Sequence, residues 1–412
     1  MKKHFFLFAL VFLLALPRAF SLSLTAESES HPFDSLPMLE SFYDESDDGF
    51  LSFWDSCSVS LLTVGPGGPL YSWFGHSALL VTTPSGSNIT FDYGSFSFNA
   101  DSFFLNFAMG RLWFVCSASY AEAQLDKIKE EGRSVTRIEL PLDAVQKKAV
   151  IEFLNSNAKT ENSTYLYHHY RDNCATRLRD IIDRSANGAF KEWAQKQSGL
   201  SYRKQASRAL SRNPFVQWAL DFLQSGQIDK DATLWEEMFL PDVLEKAVKE
   251  YFSLESTEIA ASSGRYSKSP SEPQSNILFS ILAGVLLGGV SASLILFGRE
   301  NINFIYIGIV ETIFAVMGLL LLFMMLFTNH DVTWYNENII FVNPLLLVPA
   351  VSAFRKSSRT LKLCHRILLA VIAVLVLLKI LIPYIFIQNN WTVIITMVLF
   401  YLPNGLYISR KK

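Results

Sequence analysis

The chain has 412 residues, half of them hydrophobic and 33 of them phenylalanine, with only 18% charged. That is more apolar than an ordinary soluble protein and long enough for two domains, so a membrane part is expected. A formal net charge of -2 gives no global basic field, and no phosphate-backbone motif is present, which excludes nucleic acid as the main partner.

Met1-Lys2-Lys3-His4 precedes an apolar core over residues 5–16 and then Pro17-Arg18-Ala19-Phe20-Ser21. These are the charged, hydrophobic and small-residue regions of a secretory signal, so residues 1–21 are expected to direct export. An uncleaved anchor helix would leave the following domain on the same side. No cysteine lies near the cleavage region, so the chain is not expected to be a lipid-anchored lipoprotein itself. Residues 22–54 form an acidic Ser/Asp/Glu-rich lead, expected to be poorly ordered.

An exported domain is expected over 55–261. Strand-like runs cover 58–64, 76–83, 88–93, 112–117 and 134–140, with turn signals at Pro66-Gly67-Gly68-Pro69 and Pro84-Ser85-Gly86-Ser87. Helical spacing covers 120–131, 142–155, 174–187, 214–223 and 241–252, with Asp143 and Asn213 placed as starts. The expected result is an α+β fold: a small antiparallel sheet packed by helices.

Residues 262–276 read as a Ser/Pro/Glu-rich linker into a helical transmembrane domain over 277–412. Its five apolar segments are 277–297, 304–327, 339–354, 367–387 and 391–408. Most reach the ~20 residues a span needs, but the third is short and holds Pro344 and Pro349, which suits a re-entrant segment. If all five cross, starting outside, Arg355, Lys356, Arg359, Lys362 and Arg366 fall in the cytoplasm with the Arg410-Lys411-Lys412 tail, as positive charge requires. Residues 328–338 then face outward. Glu311 and Lys379 lie within spans, where charge is costly, and call for pairing, a polar pathway or, for Lys379, snorkelling.

The chemistry centres on Cys174. Arg171-Asp172-Asn173 reads as a turn opening a helix, which puts the thiol in the first helical turn, where the helix dipole favours thiolate. An imidazole within reach would take its proton and later return it to a leaving group. His76, on a strand directly after Gly75, is the candidate base; His168 and His169 are rivals five or six residues before the thiol. The competing reading makes Cys174 a small buried hydrophobe. Cys57 and Cys116 fall in predicted strands, bridged or as two buried thiols, and Cys364 lies at a membrane boundary. With no Cys-x-x-Cys and no His-Glu-x-x-His, neither a metal nor another cofactor is expected.

Five motifs occur in order: Tyr71-Ser-Trp-Phe-Gly-His76-Ser77; Phe91-Asp-Tyr-Gly94 with Phe96 and Phe98; Asp172-Asn-Cys174-Ala-Thr-Arg177; Phe239-Leu-Pro-Asp242; and Asn336-Glu-Asn338 with Asn343-Pro-Leu345. Together they resemble the bacterial Lnb-type lipoprotein N-acyltransferases from about residue 55 to 345. The order His then Cys is also similar to permuted papain-like thiol enzymes of the lecithin:retinol acyltransferase group, which implies a permuted papain-like exported domain.

The resemblance implies a Cys174 thiolate that takes an acyl chain from a membrane phospholipid. As a thioester, the chain then passes to the N-terminal amine of a diacylglyceryl lipoprotein. His76 would serve as acid and base. Asp92 would orient it, with Tyr93 the neighbour on the opposite strand face and a solvated turn residue the competing reading for Asp92. Oxyanion donors would be the Cys174 backbone N–H and either Asn173 or Tyr71. Arg177 would hold a phosphate or pair with Asp172 or Asp180. His330 and Asn338, on the outward loop, would bind a head group or stand as solvated connections. The place implied is a bacterial inner membrane with the catalytic domain outside. Two other readings stay open: a membrane-anchored NlpC-like cysteine peptidase acting on cell-wall peptides, and a non-enzymatic envelope assembly or sensor protein.

Overall fold

The computed structural model describes residues 49–96, 102–197, 199–264 and 268–407. The signal sequence, the acidic lead up to 48, Phe98 and the Arg410-Lys411-Lys412 tail lie outside the described residues. The chain divides into two compact units, one of residues up to 202 with 231–271, the other of 203–230 with 272–412.

In the first unit, β1 (Ser58–Val64), β2 (His76–Thr82), β3 (Asn88–Ser95), β4 (Trp113–Tyr120), β5 (Val135–Glu139), β6 (Thr164–Leu166) and β7 (Thr257–Ala260) pair in one antiparallel sheet. The order is β6-β4-β3-β2-β1-β5-β7. β1 is rich in β-branched and apolar residues and is buried on both faces, as its central place demands. The five expected strands are all present. β6 and β7, of three and four residues, are too short to show a period of two.

The helices are α1 (Gly49–Ser56), α2 (Phe103–Ala108), α3 (Ala121–Glu130), α4 (Ala144–Ala158), α5 (Cys174–Ser185), α6 (Ala189–Gln195), α7 (Tyr202–Leu210), α8 (Pro214–Leu223), α9 (Leu234–Glu237) and α10 (Pro241–Phe252). One sheet face sends Leu61, Leu79, Phe91 and Tyr93 into a core with Ile151 and Leu154 of α4, Leu178 of α5 and Leu244 of α10. The other sends Leu62 and Leu80 against Ala121 and Leu125 of α3. Asp143 opens α4 with a capping box, and Asn213 caps α8 with Pro214 at its first position, both as expected.

The second unit holds α11 (Ile277–Leu296), α12 (Glu300–Phe327), α13 (Leu347–Phe354), α14 (Ser358–Leu381) and α15 (Trp391–Leu406). It also claims residues 203–230, which the sequence reading assigned to the exported domain. Side-chain chemistry explains the difference. Trp218 of α8 donates to Thr396 of α15 at 3.2 Å, and the carbonyl of Phe222 accepts from Asn336 and Asn338, each at 2.9 Å. Arg203 closes the segment on itself, bonding Asp229 at 2.7 Å and Asp221 at 3.2 Å.

Among the described residues, four stretches are long and apolar enough to cross a membrane: 277–296, 300–327, 337–354 and 358–381. The third is broken, with 3₁₀ turns Glu337–Ile340 and Pro344–Leu346 ahead of α13. The fifth expected segment forms α15, whose 16 residues with Pro403 inside fall short of the ~20 that cross a bilayer. Both intramembrane charges are paired. Glu311 meets His365 at 2.8 Å with neither side chain exposed, and the Lys379 ammonium bonds Glu337 and the carbonyls of Phe386 and Gln388 instead of snorkelling.

Gly318 of α12 lies where an added Cβ would meet the backbone of Asn343, whereas Gly289 of α11 faces open space. Gly318→Ala should cost about 1–3 kcal/mol from overpacking, read as a lower thermal midpoint in detergent. Gly289→Ala should leave the midpoint unchanged or raise it.

Candidate active site

Cys174 is the first residue of α5, and the residue before it sets its position. Asn173 has extended backbone at the N-cap; its side chain accepts from the Thr176 N–H at 2.9 Å, and the Thr176 hydroxyl accepts from the Asn173 N–H at 2.7 Å. The Asn173 amide also donates to the carbonyls of His169 at 2.7 Å and Phe239 at 2.9 Å. Cys174 is half-buried, at the end of a helix whose first N–H groups have no intrahelical acceptor.

His76 opens β2, after Gly75 with φ at +79°. Any side chain at Gly75 would press on the Val64 carbonyl, and Pro241 packs beside it. Asp92 of β3 stands opposite Ala78 and accepts from His76 Nε2 at 2.7 Å. Its second oxygen accepts from Gln124 Nε2 of α3 at 2.8 Å. With Nε2 committed to Asp92, Nδ1 is the nitrogen left for the thiol. Gly94, φ +121°, lies beside both groups: a Cβ there would lie 3.7 Å from His76 Cε1 and 4.0 Å from Cys174 Cβ. Thus three elements, β2, β3 and α5, bring His76, Asp92 and Cys174 together.

Burial pulls the His76 imidazole down, but the Asp92 carboxylate bonded to the ring and the nearby Cys174 sulfur leave it well above its ordinary range. The rival histidines do other work. His168 Nδ1 accepts from the N–H groups of Tyr170 and Arg171, capping a turn. His169 is wedged against Phe74 and Phe239, and burial lowers its pKa to about 4.

The remaining candidates sort by geometry. Tyr71 lies partly exposed in the 3₁₀ turn Leu70–Ser72 ahead of His76. Tyr93 points the other way from Asp92, into the core. Asn173 is corrected as an oxyanion donor, because both its amide hydrogens are taken by carbonyls. Arg177 grips Asp172 through two bonds, 2.5 and 2.8 Å, and lies 4.4 Å over the Tyr165 ring, so it is a structural cation and not a phosphate clamp. Asn338 is corrected too: it is fully buried in the second unit, donating to the Phe222 carbonyl and accepting from Asn390 at 2.9 Å, and cannot meet a head group. His330 precedes the 3₁₀ turn Asp331–Thr333, and its N–H meets the Thr328 hydroxyl.

Cys57 and Cys116 are buried free thiols, not a bridge, and burial pushes Cys116 up to about 12. Among the described residues, no group of three or more His, Cys, Asp or Glu could hold a metal ion. Gln124 escaped the sequence reading. It shares the inward stripe of α3 with Ala121, Leu125 and Ile128, and a polar residue on an apolar stripe was the signal available. The Phe239-Leu-Pro-Asp242 motif also gains a reason, since Phe239 receives Asn173 and Pro241 packs on Gly75.

Residues 53–209 match the family model for the Lnb N-terminal periplasmic domain, and residues 275–412 match that for the Lnb transmembrane domain. No curated protein and no solved structure matches the chain.

Unfolded, a histidine titrates near 6.5; His76 titrates higher when folded. The charged His76–Asp92 contact therefore stabilises the fold fully below about pH 6.5, and that contribution is lost as pH rises through the elevated folded value. Asp92→Asn should move the His76 titration downward, followed by NMR of the labelled imidazole; an unmoved curve would show that Asp92 does not hold the charge.

Proposed function

This chain belongs to the Lnb family, and on that footing we propose that it is a thiol-dependent acyltransferase of a bacterial inner membrane, in which Cys174 carries a fatty acyl chain from phospholipid to lipoprotein. The observation that supports this most is the convergence of Cys174 and His76 on Gly94, with Asp92 holding the far nitrogen of the imidazole. A nucleophile, a base and an orienting carboxylate in that arrangement suit acyl transfer in two steps.

In the first step the Cys174 thiolate attacks the ester carbonyl of a phospholipid. A carbon–sulfur bond forms, and the carbonyl electrons collect on oxygen, where the Cys174 backbone N–H donates. As the oxyanion collapses, the ester C–O bond breaks and the His76 imidazolium protonates the lysophospholipid oxygen. A thioester remains. In the second step the N-terminal amine of a diacylglyceryl-cysteine attacks the thioester, His76 takes the amine proton, and Cys174 leaves as thiolate. The amide formed is an N-acylated lipoprotein, and the dyad returns to its starting charge. Of the two side chains expected as second oxyanion donor, Asn173 is engaged on both amide hydrogens, which leaves Tyr71.

The elevated imidazole suits the first step, where His76 must begin protonated. Both substrates keep their hydrocarbon chains in the bilayer, and this accounts for a catalytic domain joined to apolar helices. A peptidase cutting wall peptides would need no such domain beyond an anchor.

Purified full-length protein incubated with phospholipid bearing a labelled acyl chain should gain a hydroxylamine-sensitive adduct on Cys174, absent from Cys174→Ala. His76→Ala should slow adduct formation about 10²–10⁴-fold, the range for loss of a general acid–base. Release of peptide from muropeptide without any acyl adduct would instead establish a peptidase.

A further inference from the structure

The described part of the first unit carries an aromatic stack that the dyad does not use. Tyr167 stacks on Phe114 at 4.3 Å, Phe114 on Phe96 at 4.7 Å, and Phe96 on Phe103 at 6.0 Å, the ring planes 14–25° apart. Phe103 continues to Phe107 of the same helix at 6.4 Å. At its inner end Tyr167, Phe114 and Cys174 pack against the same core. At its outer end the stack emerges on α2, where Phe104, Leu105 and Phe107 are 63, 63 and 51% exposed.

Three large apolar side chains on two turns of helix are an exposed patch that a water-facing domain does not keep without a partner. The neighbouring sequence indicates which partner. Phe103–Ala108 contains no charge, and Arg111 and Trp113 follow, with Trp113 58% exposed. Trp113 pairs across the sheet with Leu166, also exposed, which widens the patch. Phenylalanine and leucine to enter hydrocarbon, tryptophan for the interface and arginine for phosphate are the mixture that anchors a segment in a bilayer surface. A bilayer is also the apolar phase to which this unit is tethered through the spans that follow residue 276.

We propose that α2 dips into the surface of the membrane spanned by the helical domain, and that the ring stack behind it is one wall of the track along which a phospholipid acyl chain reaches Cys174. The track rests on the reading of Cys174 as the acyl carrier; the insertion of α2 does not.

The test uses the full chain in vesicles of phosphatidylethanolamine and phosphatidylglycerol with labelled acyl chains. A benzophenone amino acid placed at Phe104 or Phe107 should, on irradiation, capture labelled lipid at least tenfold more than the same probe at Val145 of α4, which is as exposed but outside the stack. Capture of protein in place of lipid, or equal lipid capture at Val145, overturns the proposal. In a second arm, Phe104→Asp with Phe107→Asp should lower phospholipid-derived acylation of Cys174 more than tenfold while leaving its alkylation by water-soluble iodoacetamide unchanged. Unchanged acylation overturns the track. If the native protein forms no acyl adduct at all, the acyltransferase reading fails, and lipid capture still decides the insertion.

Discussion

Asn173 satisfies the first turn of α5 together with Thr176 and uses its remaining amide hydrogens on His169 and Phe239. One buried side chain thus fastens the aromatic loop before Cys174, the helix that carries it, and the turn that leads into α10. An N-cap contributes about 0.5–2 kcal/mol. Leaving two buried carbonyls without donors costs a further ~1–3 kcal/mol each. Together these terms exceed any surface ion pair in this unit, and they act on the orientation of Cys174. Asn173 thus spends the polar atoms of its side chain on structure. The backbone N–H of Cys174, at the first position of α5, has no intrahelical acceptor.

Charge at the dyad follows from competition between burial and neighbours. Burial alone would lower His76, as it lowers His169. What separates the two rings is Asp92, and Asp92 is in turn held by Gln124. Gln124 is therefore a positioning residue: it touches neither thiol nor imidazole but fixes the carboxylate that decides the protonation of His76. Gly94 lies beside both His76 and Cys174, and its φ of +121° is a backbone conformation that side-chain-bearing residues rarely adopt.

The strands were legible because β1, β2 and β3 combine β-branched residues with clear turn punctuation. The helix start at Cys174 was legible because Arg171-Asp172-Asn173 reads as a turn opening a helix, and the structure adds the Asn173–Thr176 capping box. Asp92 could be placed on a face by the period of two along β3. Residues 203–230 pack with the second compact unit, and the sequence could not show this because α8 has an amphipathic face and sequence period cannot say which core that face enters. Its partners, Thr396, Asn336 and Asn338, lie more than a hundred positions later. The same long-range bonding removed Asn338 from the functional list, since an asparagine in a polar loop reads as solvated until its acceptors are known. Lys379 likewise needed Glu337 and two distant carbonyls before snorkelling could be set aside.

Cys174 can be compared with two other thiols in the same unit. Cys57 and Cys116 are buried among apolar groups, and burial pushes both upward, which keeps them as inert thiols. Cys116 even lies one pairing away from Asp92, opposite Tyr93 and beside Asp92's partner Ser117. Yet it faces the core, where no imidazole reaches it. A one-residue shift along β4 would exchange those faces. What distinguishes Cys174 is therefore its address: a capped helix start, half open to solvent, with a glycine left clear in front of a charged histidine. The rest of the fold, from the inward stripe of α3 to the proline that opens α10, serves to keep that address fixed.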